Sequence, residues 1–200
     1  MSLDARSIVF YAENAGTWRY FEPIIRELVG THRKRICYVT SSPHDPVLRN
    51  GDSSVHAFCI GLGSARTAWF QSLQAGVVVM TMPDLETYHI KRSKHPVHYI
   101  YTHHSMVSTH MIYRRGAFDH FDSILCAGPH HHEEIRAVEQ LYDLKPKRLV
   151  ETGYSLLDTI LSSATAAIED ISRSNDLEKR ILIAPSWGDK GLLETRGSEL

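Results

Sequence analysis

The sequence holds 13 histidines in 200 residues, and several stand where side chains can do chemistry. His103 and His104 lie in Thr102-His103-His104-Ser105-Met106-Val107-Ser108-Thr109-His110, directly after an apolar run. A neutral imidazole at such a strand end can take a proton from an attacking alcohol. Ser105, Ser108 and Thr109 add small hydroxyl donors. The pattern predicts a helix from near Ser105, whose free N–H groups would hold a phosphate. The competing reading has the two histidines closing a strand or filling polar core, and spacing alone leaves both open.

A second run, His130-His131-His132-Glu133-Glu134, invites a metal. Neighbouring side chains at a helix start point about 100° apart, so adjacent histidines seldom ligate one ion together. No metal site is expected here, although one of the three could join a site with His103 or His104. Glu133 and Glu134 suit the positive end of a helix dipole without further function. Gly61-Leu62-Gly63-Ser64-Ala65-Arg66 looks like a shortened glycine fingerprint, but Arg66 stands where the third glycine belongs. No acidic residue follows at the required strand end, so an ordinary strand-to-helix turn is expected rather than a dinucleotide site. No cofactor is expected.

These residues need a scaffold, and the periodicity supplies one. Short apolar runs at 7–11, 36–40, 56–60, 77–82, 98–102, 123–127 and 148–152 read as strands. Between several of them lie helical patterns. One carries Phe21, Ile24, Ile25 and Leu28. Others run near Ser64 to Leu73, from about His130 to Leu144 with Ile135, Val138 and Leu141 inward, and from Leu156 to Ile168. Strands alternating with helices at this pitch predict an α/β fold with a parallel sheet and right-handed crossovers. Ligands then sit at the carboxyl ends of strands, which singles out residues 12–17, 41–46, 82–87, 102–109, 127–132 and 152–155. Residues 169–180 read as a polar linker, and a new strand and loop begin at Ile181.

Composition narrows the class. Hydrophobic residues make up 42% and charged residues 22%, which excludes a disordered chain, a coiled coil and a collagen-like fibre. No apolar run approaches the ~18 residues of a membrane span, and no signal peptide is visible. A net charge of −1 argues against a nucleic-acid partner. The local basic clusters 32–35, 91–94 and Arg114-Arg115 are either solvated surface or attraction to an anionic surface. Cys37, Cys59 and Cys126 sit in apolar runs and read as buried free thiols in a reducing compartment.

Four segments in order resemble the CDP-glycerol glycerophosphotransferase family of teichoic-acid polymerases and primases. Tyr99-Ile-Tyr-Thr-His-His104-Ser-Met is similar to that family's strand ending in histidine and a small residue. Phe118-Asp-His-Phe-Asp122-Ser-Ile-Leu-Cys-Ala-Gly128-Pro129 matches its strand closing in Gly/Ser-Pro. Val150-Glu-Thr-Gly153-Tyr154-Ser-Leu-Leu-Asp158 looks like its Gly-Tyr turn. Ile181-Leu-Ile-Ala-Pro185-Ser186-Trp187 is similar to the strand opening its second domain.

The resemblance implies a GT-B-like architecture of two facing Rossmann-like domains. Residues 1–168 would form the acceptor-side domain, 169–180 the linker, and 181–200 the start of the nucleotide-binding domain. It implies transfer of glycerol phosphate from CDP-glycerol, or a similar CDP-polyol, to a hydroxyl of a lipid-linked acceptor in surface-polymer synthesis. His104 would be the base, with His103 as fallback. Ser105, Ser108, Thr109, Gly128, Pro129, Gly153, Tyr154, Pro185, Ser186 and Trp187 would bind substrate. The protein would be cytoplasmic, peripheral on the inner face of the membrane, where the basic clusters meet anionic lipid. A chain ending at Leu200 would have little activity alone. The alternatives are a GT-B glycosyltransferase using a nucleotide sugar and a non-catalytic α/β binding module.

Overall fold

Runs rich in valine, isoleucine and aromatics become the strands of one sheet, because branched and flat side chains pack well on a pleated surface. The computed structural model describes residues 7–173, 182–184 and 191–197. Its strands are β1 (Ile8–Ala12), β2 (Ile36–Thr40), β3 (Val55–Cys59), β4 (Val77–Met80), β5 (His98–Thr102), β6 (Ser123–Cys126) and β7 (Arg148–Glu151). All six pairings are parallel, in the order β3-β2-β1-β4-β5-β6-β7. With helices covering the sheet, this is the Rossmann-like α/β fold that the alternating periodicity predicts. β2 is buried at every position, as a strand covered on both faces should be.

The alternation along each strand divides the core in two. Val9, Tyr11, Val78, Met80, Tyr99 and Tyr101 face one side. There they meet Phe70 of α2 (Ser64–Ser72) and Ile135 of α4 (Pro129–Leu141). Phe10, Tyr38 and Val79 face the other side, against Phe21 and Ile25 of α1 (Trp18–Gly30). Phe10 and Phe21 meet edge to face at 5.2 Å between centroids. The turn before α2 places both Gly61 and Gly63 at positive φ, which glycine adopts without the Cβ penalty, so the shortened fingerprint is a strand-to-helix turn.

Several sequence expectations are corrected. The helix expected from Ser105 begins at Thr109 and lasts four residues, as α3 (Thr109–Ile112). Leu141 points outward, 71% exposed, because α4 ends there. Cys37 and Cys126 are buried, but Cys59 is exposed at the end of the edge strand β3. α5 (Ser155–Arg173) runs through the first five positions of the expected linker. Residues 182–184, expected in a new strand, have no regular secondary structure. Pro185, Ser186 and Trp187 lie outside the described residues.

The chain divides into two units, Met1–Leu161 and Ser162–Leu200. In the second, α6 (Leu192–Arg196) is stabilised by the Thr195 hydroxyl, which donates to the Gly191 carbonyl at 2.8 Å. Among the described residues, no helix is long and apolar enough to cross a membrane.

Candidate active site

In this strand order the chain reverses its winding between β1 and β4, and the carboxyl ends of those two strands diverge into a crevice. A cleft of about 340 Å³ opens there. The loop after β1 contributes Glu13 and Gly16 to its wall, and the start of α1 contributes Arg19 and Tyr20. The loop after β4 contributes Thr81, and β5 delivers His104. A second cavity of about 140 Å³ shares Tyr20 with it and is also bounded by Thr102, His103, Gly153 and Tyr154.

His104 stands two residues beyond β5, half-buried. Burial holds its imidazole below the ordinary histidine pKa. A hydrogen bond with the Thr81 backbone and the Glu13 carboxylate pull the other way. The result is an imidazole that is neutral at pH 7 and open to the cleft. The Tyr101 hydroxyl lies 3.4 Å from Nδ1 and donates to Tyr113 at 3.1 Å. Tyr20 meets the His104 ring edge-on at 6.0 Å. The Tyr154 hydroxyl donates to the His104 carbonyl at 2.9 Å, which anchors the backbone there. Gly153 holds φ +71° just before it, the left-handed turn that brings Tyr154 back over the sheet.

His103 is in different surroundings. It is 4% exposed, and both its ring nitrogens are buried without a hydrogen-bond partner. Its ring stacks on His131 at 3.7 Å and meets Tyr101 edge-on at 5.0 Å. Burial, followed by His131, His104 and His130, pushes its pKa down to about 3. The two neighbouring histidines therefore have different surroundings. One ring faces the cleft, and the other is held neutral in an aromatic cage.

The His130–His132 run clamps a loop. His130 Nε2 donates to the Met106 carbonyl at 3.1 Å, and His131 Nε2 donates to the Val107 carbonyl at 2.9 Å. The amide of Ala127 donates to His131 Nδ1 at 3.2 Å, so these partners define the tautomer. Glu134 accepts from the Thr109 amide and hydroxyl. Burial alone would raise the Glu134 pKa. The hydrogen bonds from Thr109 and Ser108 outweigh it and hold the carboxyl at about 2. Ser108 and Thr109, expected to bind substrate, therefore spend their hydroxyls on Glu134. No cluster of metal-ligating side chains occurs among the described residues.

The remaining expected residues are spread out. Ser105 follows His104 directly. Gly128 caps α4 and Pro129 opens it, and a Cβ on Gly128 would come within 3.0 Å of the His130 ring. The basic clusters are largely engaged or remote. Arg92 pairs with Asp122 at 2.9 Å and lies over Tyr99, and Arg114 pairs with Asp84 at 2.7 Å. Arg33, Lys34 and Arg35 precede β2, at the amino ends of the strands, whereas the cleft lies at their carboxyl ends. Sequence reasoning pointed to the loops after β1 and β4, the first of which includes Glu13, but missed Arg19 and Tyr20 on α1. The signal that finds them is the switch point, which appears only when strand order is known.

Fold and site together define a Rossmann-like α/β domain with a histidine at the switch-point cleft. No family model, curated protein or solved structure matches the chain.

Proposed function

We propose that this chain carries the acceptor-side half of a polyol-phosphate transferase, with His104 as its general base. The observation that supports this best is a neutral imidazole in the switch-point cleft, held at its carbonyl by Tyr154 and accompanied by an arginine. The motif order around His104, Gly128-Pro129 and Gly153-Tyr154 supplies the donor class, a CDP-linked polyol. In the reaction, the acceptor hydroxyl oxygen bonds to the donor β-phosphorus. Its proton passes to His104, the bond from that phosphorus to the CMP oxygen breaks, and CMP leaves with the electron pair. Holding the two substrates in line and offsetting charge on the phosphoryl oxygens supply most of the acceleration. The acceptor is a hydroxyl on a lipid-linked chain.

CMP release from CDP-glycerol with a lipid-linked acceptor analogue tests the reading, measured on the longest natural form of the protein containing these residues. Replacing His104→Ala should lower kcat by about 10²–10⁴-fold. Undiminished CMP release in that variant moves the base elsewhere. No release from any CDP-polyol, with turnover of a UDP-sugar instead, replaces the donor class.

A further inference from the structure

We propose that Arg19 is the residue that grips the transferred phosphoryl group, binding its non-bridging oxygens in the cleft beside His104. The inference rests on the phosphoryl-transfer reading above. It starts from a cation in an unusual position. Arg19 is the second residue of α1 and, among the described residues, the one lysine or arginine lining the cleft. Arg26, Arg92, Arg114 and Arg136 each sit on a carboxylate, whereas no carboxylate lies within ion-pair distance of Arg19 among the described residues. Glu13 lines the same cleft and is not paired with it.

The loop before α1 is built around this guanidinium. Arg19 Nε donates to the Gly16 carbonyl at 2.9 Å, which uses one of five donors and sets the plane of the fork. Gly16 in turn donates its amide to Asn14 Oδ1 at 2.9 Å. A Cβ on Gly16 would come 3.1 Å from Asn14 Oδ1 and 3.2 Å from Arg19 Nη2, so a larger residue presses on both ends of this arrangement and they must give by a few tenths of an ångström. The Arg19 guanidinium carbon lies 5.6 Å from the Tyr20 ring centroid, and that ring contacts His104. Base and cation are therefore held by consecutive parts of one assembly.

A planar fork with its terminal nitrogens unpaired fits two oxygens of one phosphoryl group, which a lysine ammonium matches less well. As the acceptor O–P bond forms and the P–O bond to CMP breaks, charge moves across the non-bridging oxygens. A guanidinium fixed beforehand offsets that charge without reorganising.

The test titrates the isotope-labelled chain with inorganic pyrophosphate and follows the Arg19 Nε–H and His104 ring signals. Both should move along one saturable curve. Arg19→Gln should weaken the apparent affinity by about tenfold or more, as loss of a charge-assisted pair predicts. Gly16→Ala, which keeps the arginine but presses on it, should weaken it severalfold and guards against a folding defect in the first variant. Arg33→Gln, at the amino ends of the strands and away from the cleft, should leave it unchanged. An unmoved Arg19 signal, or equal affinity in Arg19→Gln, overturns the proposal. So does His104-dependent CMP release with wild-type kcat and KM in Arg19→Gln, and in that case the transfer reading survives. Pyrophosphate bound through Arg19 without turnover of any CDP-polyol leaves the anion site standing and removes the transfer reading.

Discussion

Replacing His103→Phe should make the protein markedly less sensitive to acid while costing nothing at neutral pH. In the folded chain the His103 ring is stacked on His131, edge-on to Tyr101, and near Phe118. The charged and titratable groups facing it are His104 on its own loop and His130, His131 and Glu134 on α4. Its pKa falls from 6.5 unfolded to about 3 folded, chiefly through burial. Between those values the unfolded chain holds nearly one more proton than the folded chain. Stability therefore rises with pH across that window and falls as pH drops below 6.5, at about 1.4 kcal/mol per unit. From pH 7 to pH 5 the loss from His103 alone is about 2 kcal/mol, a large share of the ~5–15 kcal/mol that domains possess. Phenylalanine keeps a ring on His131 and cannot titrate. Because both His103 nitrogens lack partners, their removal leaves no hydrogen bond broken, and stability at pH 7 should hold or rise by about 1 kcal/mol. Urea unfolding followed by Trp18 and Trp69 fluorescence at both pH values measures the difference. If wild type and variant lose equal stability between pH 7 and pH 5, the buried neutral imidazole is not the acid-labile element and the reasoning fails.

Two further outcomes follow from the clamps around the site. Glu134→Gln should loosen the loop from His103 to His110, because the Thr109 and Ser108 donors lose their carboxylate. The carboxyl is held near 2, so its contribution is present above the ordinary carboxylate range and fades as pH falls towards 2; faster hydrogen exchange at the Thr109 amide in the variant at pH 7 is the expected readout, and unchanged exchange counts against the clamp. Arg92→Met should cost about 1–3 kcal/mol in thermal or urea unfolding, since the guanidinium joins Asp122, the Val97 carbonyl and the Tyr99 ring; a change within 0.5 kcal/mol would place it among ordinary surface arginines.

The residues that bury themselves announced their places. Ile36-Cys37-Tyr38-Val39-Thr40 and Val77-Val78-Val79-Met80 are strands because a continuous apolar run between turn residues has few other stable arrangements, and the seven strands expected before residue 153 are present, whereas residues 182–184, expected in an eighth, have no regular secondary structure. Helix patterns were legible wherever one face is apolar, as on α1, and least legible at ends, as with Leu141, where an apolar residue outlasts its helix. The helix expected from Ser105 starts only at Thr109, because the loop before it is held by α4: His130 and His131 donate to the Met106 and Val107 carbonyls, and Glu134 accepts from the Thr109 amide, 25 residues away in sequence. No local pattern carries that information.

The same division runs through the candidate site. That histidines follow a buried strand, and that Gly153 stands in a turn after another, could be read from residue order. Which histidine is the candidate base could not, because His103 and His104 are chemically identical neighbours until packing puts one ring into an aromatic cage and the other into the cleft. Likewise Arg19 lies 85 positions before His104, and only the crossing from β1 to β4 at the centre of the sheet sets them in one crevice. Sequence by itself determined the periodicity, hence the elements and the parallel sheet, because those follow from short-range burial patterns. Tertiary structure alone decided ionisation, pairing and proximity at the site, because desolvation and charge depend on what packs alongside, however distant in the chain.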